Sequence, residues 1–325
     1  MASTGPMNWV NQGSYLTNNK LNKIFQREAQ EMCRFRQFVK FKEAFGSHQG
    51  GSVNWLKVSD VADHGHKLTE TEAMPESRVP LAWGTLTVNE HGMSIPFTFK
   101  SEILSEFDIM DIMREGLLDD AVKVLDGNIE RQFNACKLRY VGTASNAAGV
   151  TSTDGTTTKT NTSGLNSYHV RKMVQELKKR NVPGFSGLGG DYVCIASVDA
   201  MEALYADLED IWQYTESGHK KILNGEVGRY YGVRFVEDSW ATMNTFDVNT
   251  GGSTAISWAK AKSGVAYIFG SPTVREAVVV PEEIRMKVTT DYGRSKGIGW
   301  YGLMGWKIEW DTAADARIIK WDSKA

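Results

Sequence analysis

The chain has 325 residues, of which 41% are apolar and 23% are charged. These proportions are ordinary for a globular protein and allow a sizeable core. The net charge of −2 excludes a protein that binds nucleic acid through a strongly basic overall charge. No window reaches the ~18 apolar residues of a membrane span, and no signal-peptide pattern is found. The three cysteines are far apart, so we expect synthesis in a reducing cytoplasm.

Residues 1–48 have the composition of a polar, basic arm. Between residues 20 and 43, seven basic residues accompany three acidic ones, which gives 7 − 3 = +4. A short helix is expected over 18–32, but the segment has no obvious core of its own. It could contact nucleic acid, but we favour packing on a neighbouring copy of the chain. Phenylalanines interleave with the charges: Phe25, Phe35, Phe38, Phe41 and Phe45.

Residues 49–100 have the pattern of a long β-hairpin with a polar tip. One extended run contains Trp55, and a second contains Trp83. The last part of the segment, around Phe97, alternates apolar and polar side chains, as expected of a strand with one buried face. The polar stretch 64–78 separates the runs and has no core of its own.

Residues 108–139 give the strongest helical pattern, with apolar side chains at three- and four-residue steps. Asp108 is the candidate N-cap. At 1.5 Å per residue the helix would span roughly 45 Å. Gly116 and Gly127 each weaken it by about 1 kcal/mol, so we expect them to serve a bend or a close packing contact.

Residues 143–164 are mainly Ser, Thr, Gly, Ala and Asn, which is the composition of a loop or linker. The segment 165–270 alternates helical patterns with short apolar strands and predicts a compact α/β module. Residues 271–325 return to strand patterns without a helix of their own. We expect these closing strands to pack against the long helix, which makes 165–270 an insertion.

Patterns that would indicate chemistry are weak. His64, His66 and His91 could offer metal ligands, but no cysteine or glutamate stands at ligand spacing. The segment Gly187–Gly190 resembles part of a dinucleotide-binding loop, but a strand follows it rather than precedes it. Acidic pairs such as Asp119–Asp120 are typical of solvated faces. The sequence therefore predicts no catalytic, cofactor or metal site.

Several stretches resemble the coat proteins of podoviruses of the N-four type, which are tailed phages. They are PFTFKSEILSEFDIMDIMREGLLDDAVKVLDGNIERQF (96–133), VRKMVQELKKRNVPGF (170–185), ILNGEVGRYYGVRFVEDSW (222–240) and GIGWYGLMGWKIEW (297–310). Their serial order, over most of 80–325, also resembles the Hong Kong 97-type capsid fold. The resemblance implies an α+β fold with an N-arm (1–48), an E-loop hairpin (49–100), a P-domain with the spine helix (101–164 and 271–325) and an inserted A-domain (165–270).

The same resemblance implies a major capsid protein that forms pentamers and hexamers of an icosahedral head. It also implies a separate scaffolding protein, a portal, decoration proteins and packaged double-stranded DNA as partners, with assembly in the host cytoplasm. A bend at Gly116 or Gly127 would then change shell curvature. Contacts between subunits are expected at Phe25, Phe35, Phe38, Trp55, Trp83 and Phe97.

Three other functions stay open at this point. An encapsulin-like compartment would use the same fold and enclose a cargo enzyme instead of DNA. A tail or baseplate protein would form rings or tubes. A metal-dependent hydrolase would use His64, His66 and His91.

Overall fold

The computed structural model describes residues 34–39, 41–44, 50–61, 65–70, 74, 76–144, 147–152, 163–212, 226–238 and 264–322. The helices in these ranges are α1 (Phe99–Leu104), α2 (Ile109–Asn134), α3 (Ser167–Lys179) and α4 (Val198–Trp212), with short 3-10 helices at Arg36–Phe38 and Ser186–Leu188. The strands are β1 (Phe41–Ala44), β2 (Ser52–Val58), β3 (Leu81–Thr87), β4 (Asn89–Thr98), β5 (Leu138–Ala144), β6 (Ala147–Ser152), β7 (Tyr192–Ala196), β8 (Glu226–Tyr230), β9 (Val233–Glu237), β10 (Val265–Phe269), β11 (Val274–Met286), β12 (Ser295–Ile308) and β13 (Ile318–Asp322).

The strands form three sheets. A four-stranded sheet has the order β1-β11-β12-β4, and a seven-stranded sheet has the order β6-β5-β13-β10-β7-β9-β8. Among the described strands, β2 and β3 pair only with each other, whereas β4, which the sequence predicts as part of the same hairpin, pairs with β12. Helices and sheets are thus mixed without a regular βαβ repeat, and the predicted α+β class is confirmed.

The long helix α2 begins where the sequence predicts. The Asp108 carboxylate accepts hydrogen bonds from the backbone N–H groups of Met110 (2.9 Å) and Asp111 (3.4 Å). Its 26 residues span about 39 Å and run without a break through both glycines. The helix ends at Asn134 and not at 139, because strand β5 begins four residues later.

The N-terminal half of α2 packs on the four-stranded sheet. Its apolar side chains at positions 109, 113, 117 and 121 form a buried cluster with Phe97, Ile298 and Trp300. The Trp300 indole N–H donates to the Asp120 carboxylate at 2.8 Å. Burial raises the pKa of Asp120, and this hydrogen bond opposes the rise. Only one side of this half of the helix is left exposed.

The C-terminal half of α2 is buried between the seven-stranded sheet and residues of the arm. The Phe133 ring contacts the rings of Phe35, Tyr267 and Phe269, with centroids 5.3, 5.9 and 4.8 Å away. Edge-to-face contacts of this kind add to the burial of the rings themselves. One helix therefore links both large sheets and the arm.

Asp126 of α2 anchors the arm. Its carboxylate accepts the backbone N–H groups of Arg34 (3.0 Å), Phe35 (3.2 Å) and Arg36 (2.8 Å). Consecutive amides converging on one anion resemble the anion site at the start of a helix, and a 3-10 helix follows directly. Burial raises the pKa of Asp126 to about 6, although the three hydrogen bonds and the charge of Arg36 oppose the rise.

The anchored arm completes the core of its own chain. Phe35 and Phe38 are 0% and 3% exposed. The Arg36 guanidinium forms ion pairs with Glu276 at 3.1 Å and Glu282 at 2.6 Å. The first pair is well shielded, because the Glu276 side chain has no exposed surface. Residues 34–38 therefore behave as part of the folded body.

The seven-stranded sheet crosses the boundaries that the sequence predicts for the inserted module. Strands β7 to β10 fall within 165–270, but β13 pairs with β10, and β5 pairs with β13. The predicted linker is corrected too, because its residues 147–152 form strand β6 on β5. Helices α3 and α4 cover the sheet face opposite α2. Residues 239–263 of the predicted module lie outside the described residues.

We expect Phe133→Ala to lower the free energy of unfolding of the unassembled subunit by about 3–5 kcal/mol. The substitution leaves a cavity where the helix, the arm and the sheet meet. Leu118→Ala, on the exposed side of the same helix, is the matched control and should cost about 0.5 kcal/mol or less. Urea denaturation measures both. Equal losses for the two variants would contradict this packing.

The buried Asp126 carboxyl should make stability depend on pH. Its pKa in the folded state lies above the ordinary value of 3.8, so the folded protein holds this proton more tightly than the unfolded chain. The resulting stabilisation is complete below about pH 4 and is lost as the pH rises through about 6. Between these limits we expect about 3 kcal/mol of change in the wild type that Asp126→Asn lacks. Urea denaturation of both proteins across this range tests it, and parallel pH profiles would refute it.

Candidate interaction surface

In the described part of the chain, two of the three histidines considered as metal ligands, His66 and His91, can be located. No group of three or more His, Cys, Asp and Glu side chains in this part of the chain could hold a metal ion. The His91 ring lies against the Trp306 indole at an interplanar angle of 57°, with centroids 5.2 Å apart, and burial lowers the pKa of His91. His66 is exposed, and His64 lies outside the described residues. None of the described helices is long and apolar enough to cross a membrane.

The hairpin of β2 and β3 has an inner face that its own chain buries. Val53, Trp55 and Leu86 form a small cluster with Ala277 of the four-stranded sheet. The Arg275 guanidinium lies over the Trp55 ring, 5.0 Å from its centroid. Gly84 pairs with Trp55 across the hairpin, and any Cβ at Gly84 would overlap the indole. The inner face therefore fixes the hairpin to the body of the molecule.

An ion pair also holds the inner face of the hairpin, because Lys57 lies on the same face of β2 as Val53 and Trp55. The Lys57 ammonium donates to the Asp311 carboxylate at 2.6 Å. Partial burial works to raise the pKa of Asp311, but the contact with Lys57, a backbone hydrogen bond and the charge of Lys307 together lower it. Both apolar and charged contacts thus hold the hairpin to the rest of the chain.

The outer face of the hairpin is apolar and exposed. The register pairs Leu56 with Trp83 and Val58 with Leu81, so these four side chains share one face. They are 47%, 72%, 55% and 61% exposed, respectively. We call them the outer strip. Contiguous exposed apolar side chains of this kind mark a surface that binds another protein.

A second exposed apolar group lies on the helices. In α1, Phe99 and Ile103 are 48% and 64% exposed, and Leu104 is 44% exposed. In α2, Leu118 and Val122 are 48% and 54% exposed. The last two are four residues apart and therefore project from the same side of the helix. We call these five residues the helix group.

The residues predicted to contact neighbouring subunits differ widely in their exposure within a single chain. Phe35, Phe38 and Phe97 are almost fully buried by their own chain, because α2 and the sheets pack around them. Trp55 is 7% exposed for the same reason. Only Trp83 keeps a large exposed surface. Phe25 lies outside the described residues.

The outer strip contains three residues that sequence reasoning missed, Leu56, Val58 and Leu81. Their signal was the two-residue alternation with Trp55, which places Leu56 and Val58 on the face opposite that indole. The pairing with Trp83 could not be read from the sequence, because it depends on the register of the hairpin. Asp126 was missed as well, since an acidic residue within a helix usually faces solvent.

Comparisons with known proteins agree with one another. The family model described as "Phage capsid protein" matches residues 87–318. The fold is similar to the solved capsid structure of Cyanophage P-SCSP1u, with 10% sequence identity and a TM-score of 0.67 over 96% of this chain and 94% of that chain. It is similar to the capsid structure of Cyanophage Pam1 as well, with 13% identity and a TM-score of 0.67 over 99% of both chains. A third similar structure is the capsid of Ralstonia phage GP4, with 13% identity and a TM-score of 0.67 over 95% of this chain and 97% of that chain. No curated relative matches the sequence.

The matched segment covers more than two thirds of the chain and includes strand β4, the long helix and most of both large sheets. The resemblance to podoviruses of the N-four type stays a prediction, because the match is to the broader family. On the strength of that match, and of a fold shared over the whole length of the solved capsid chains, this protein belongs to the phage capsid protein family.

Proposed function

We propose that this phage capsid protein is the major subunit of an icosahedral head, built from its pentamers and hexamers and enclosing double-stranded DNA. The observation that carries the proposal is the outer strip of the hairpin. The inner face of the hairpin is bound to its own chain, so the strip is the surface that another subunit can cover. Burial of each of its side chains contributes about 1 kcal/mol or more at 25 cal/mol per Å².

The helix group is the complementary surface on the next subunit. It is apolar, exposed and located on a different part of the molecule from the outer strip. A contact between two different surfaces is heterologous and repeats head to tail, so it closes into rings when the rotation allows. Rings of five and six, joined in one shell, are the closed arrangement we propose.

The domains expected from the sequence acquire roles in this arrangement. The hairpin is the E-loop, the four-stranded sheet with α2 is the P-domain, and the seven-stranded sheet with α3 and α4 is the A-domain. The net charge of −2 suits a shell of many copies, because strongly like-charged subunits would repel one another. A separate scaffolding protein, a portal, decoration proteins and non-specific DNA contacts are further expected partners, and assembly takes place in the host cytoplasm.

Trp83→Asp should block assembly and leave the subunit folded. The change places a charge in the outer strip, where the wild-type indole is already exposed and supports no core packing. Asn54→Asp is the matched control, because Asn54 is exposed on the same hairpin face but lies outside the strip. Phe97→Asp is the opposite control and should unfold the subunit, since Phe97 is 1% exposed.

The measurement combines electron microscopy of particles made with the scaffolding protein and circular dichroism of the purified subunit. Icosahedral shells from the wild type and from Asn54→Asp, but not from folded Trp83→Asp, are the expected result. Normal shells from Trp83→Asp would refute the role of the strip. A wild-type chain that stays monomeric with its scaffolding protein would refute the proposed function itself.

Gly116→Ala should stabilise the unassembled subunit by about 0.5–1 kcal/mol in urea denaturation. A Cβ at this helical position meets no atom within 4 Å. If a bend at Gly116 sets shell curvature, shells of this variant should also differ in diameter by electron microscopy. Arg114→Ala, exposed in the same turn, should change neither quantity. Unchanged diameters for Gly116→Ala would contradict the bend.

A further inference from the structure

The exposed surfaces of α3 and α4 carry opposite charges. Helix α3 has four basic residues and one acidic residue, which gives 4 − 1 = +3. Helix α4 has five acidic residues and no basic residue, which gives −5. In a chain whose net charge is −2, this is a strong local separation of charge.

The basic charges of α3 are available to a partner. Arg171, Lys172, Lys178 and Lys179 are all exposed. None of them forms an ion pair with any residue that the structure describes. The only acidic residue of the helix, Glu176, is already paired with Arg180 at 3.0 Å.

The acidic face of α4 is equally open. Asp199, Glu202 and Asp207 are exposed. Asp207 accepts the backbone N–H of Ser167 at 2.7 Å, which ties α4 to the start of α3. Asp199 and Glu202 form no ion pair within the described ranges.

The fold fixes these two charged faces side by side. Val170 and Met173 of α3 and Met201 and Leu204 of α4 enter one core cluster on the same face of the seven-stranded sheet. Helix α3 packs against β10 and against β6, the edge strand of that sheet, whereas α4 packs against α3 and β10. The basic face therefore lies toward one edge of the sheet, and the acidic face is displaced from it across the sheet.

We propose that the basic face of α3 in one subunit contacts the acidic face of α4 in the next subunit of the same ring. The inference rests on the proposed function, since it names a second head-to-tail contact in the pentamers and hexamers. Complementary charges set partner choice and register, and a displaced pair of faces repeats around a ring as a heterologous contact. Nucleic acid suits the surface less well, because the adjacent acidic helix repels phosphate.

The first test reverses each face in the full-length chain, expressed with its scaffolding protein. Arg171→Glu with Lys172→Glu makes the exposed pair at 171 and 172 acidic, and Asp199→Lys with Glu202→Lys makes the exposed pair at 199 and 202 basic. Each double variant alone should lower the yield of shells by more than about tenfold, because every junction then joins like charges. Combining all four substitutions in one chain restores opposite charges at every junction and should recover assembly. Thermal denaturation of each unassembled subunit checks folding.

The second test mixes the two double variants. Alternating copies restore attraction at every junction of a six-membered ring, but a five-membered ring cannot alternate without one junction of like charge. The mixture should therefore give hexamer-based tubes or sheets without fivefold vertices. Complete icosahedral shells from the mixture would overturn the head-to-tail contact and indicate a twofold pairing of the same faces.

Two other results would overturn the inference and leave the proposed function intact. In the first, wild type and both double variants build normal shells in equal yield. In the second, the Arg171→Glu, Lys172→Glu variant builds normal shells that package less DNA, which would assign the basic face to nucleic acid. Loss of assembly in both double variants without recovery in the fourfold variant would also overturn it.

Discussion

The structure depends on the burial of the C-terminal half of α2 between the seven-stranded sheet and the arm. Phe133 contacts aromatic rings from both, and Asp126 holds the arm through three backbone amides. From Ile109 to Ala121, the same helix packs on the four-stranded sheet. Because one rigid element carries both sheets, the direction of the hairpin is fixed relative to the α3–α4 surface.

This arrangement divides the surfaces of a subunit into those that its own chain buries and those that a neighbouring subunit would cover. The chain buries Trp55, Phe35 and Phe38 itself, so folding does not require another copy to cover them. It leaves an apolar strip on the hairpin and a pair of oppositely charged helices on the module. The apolar contact supplies most of the favourable free energy, whereas exposed charges mainly select the partner and its register. The division suits subunits that must fold before they assemble.

Features with a local cause could be predicted from the sequence. Asp108 caps α2 through its own next residues, and the hairpin follows from alternation and a polar tip. The predicted helix ran past Asn134 because Cys136 continues the helical spacing, while pairing with a distant strand decides that β5 begins at Leu138. The residues of strand β6 have the composition of a linker, and their pairing with β5 cannot be read from that composition. The burial of Phe35 depends on residues about a hundred or more positions away, which no local pattern contains. The exposed strip required the hairpin register.

The central claim is that a neighbouring subunit covers the outer strip of the hairpin. A cryo-electron microscopy reconstruction of the assembled head, at a resolution that shows side chains, tests it most directly. The account predicts the Trp83 indole buried against α1 and α2 of the adjacent subunit in both pentamers and hexamers. An indole that stays exposed to solvent in the assembled shell, or that is buried only by its own chain, would contradict it.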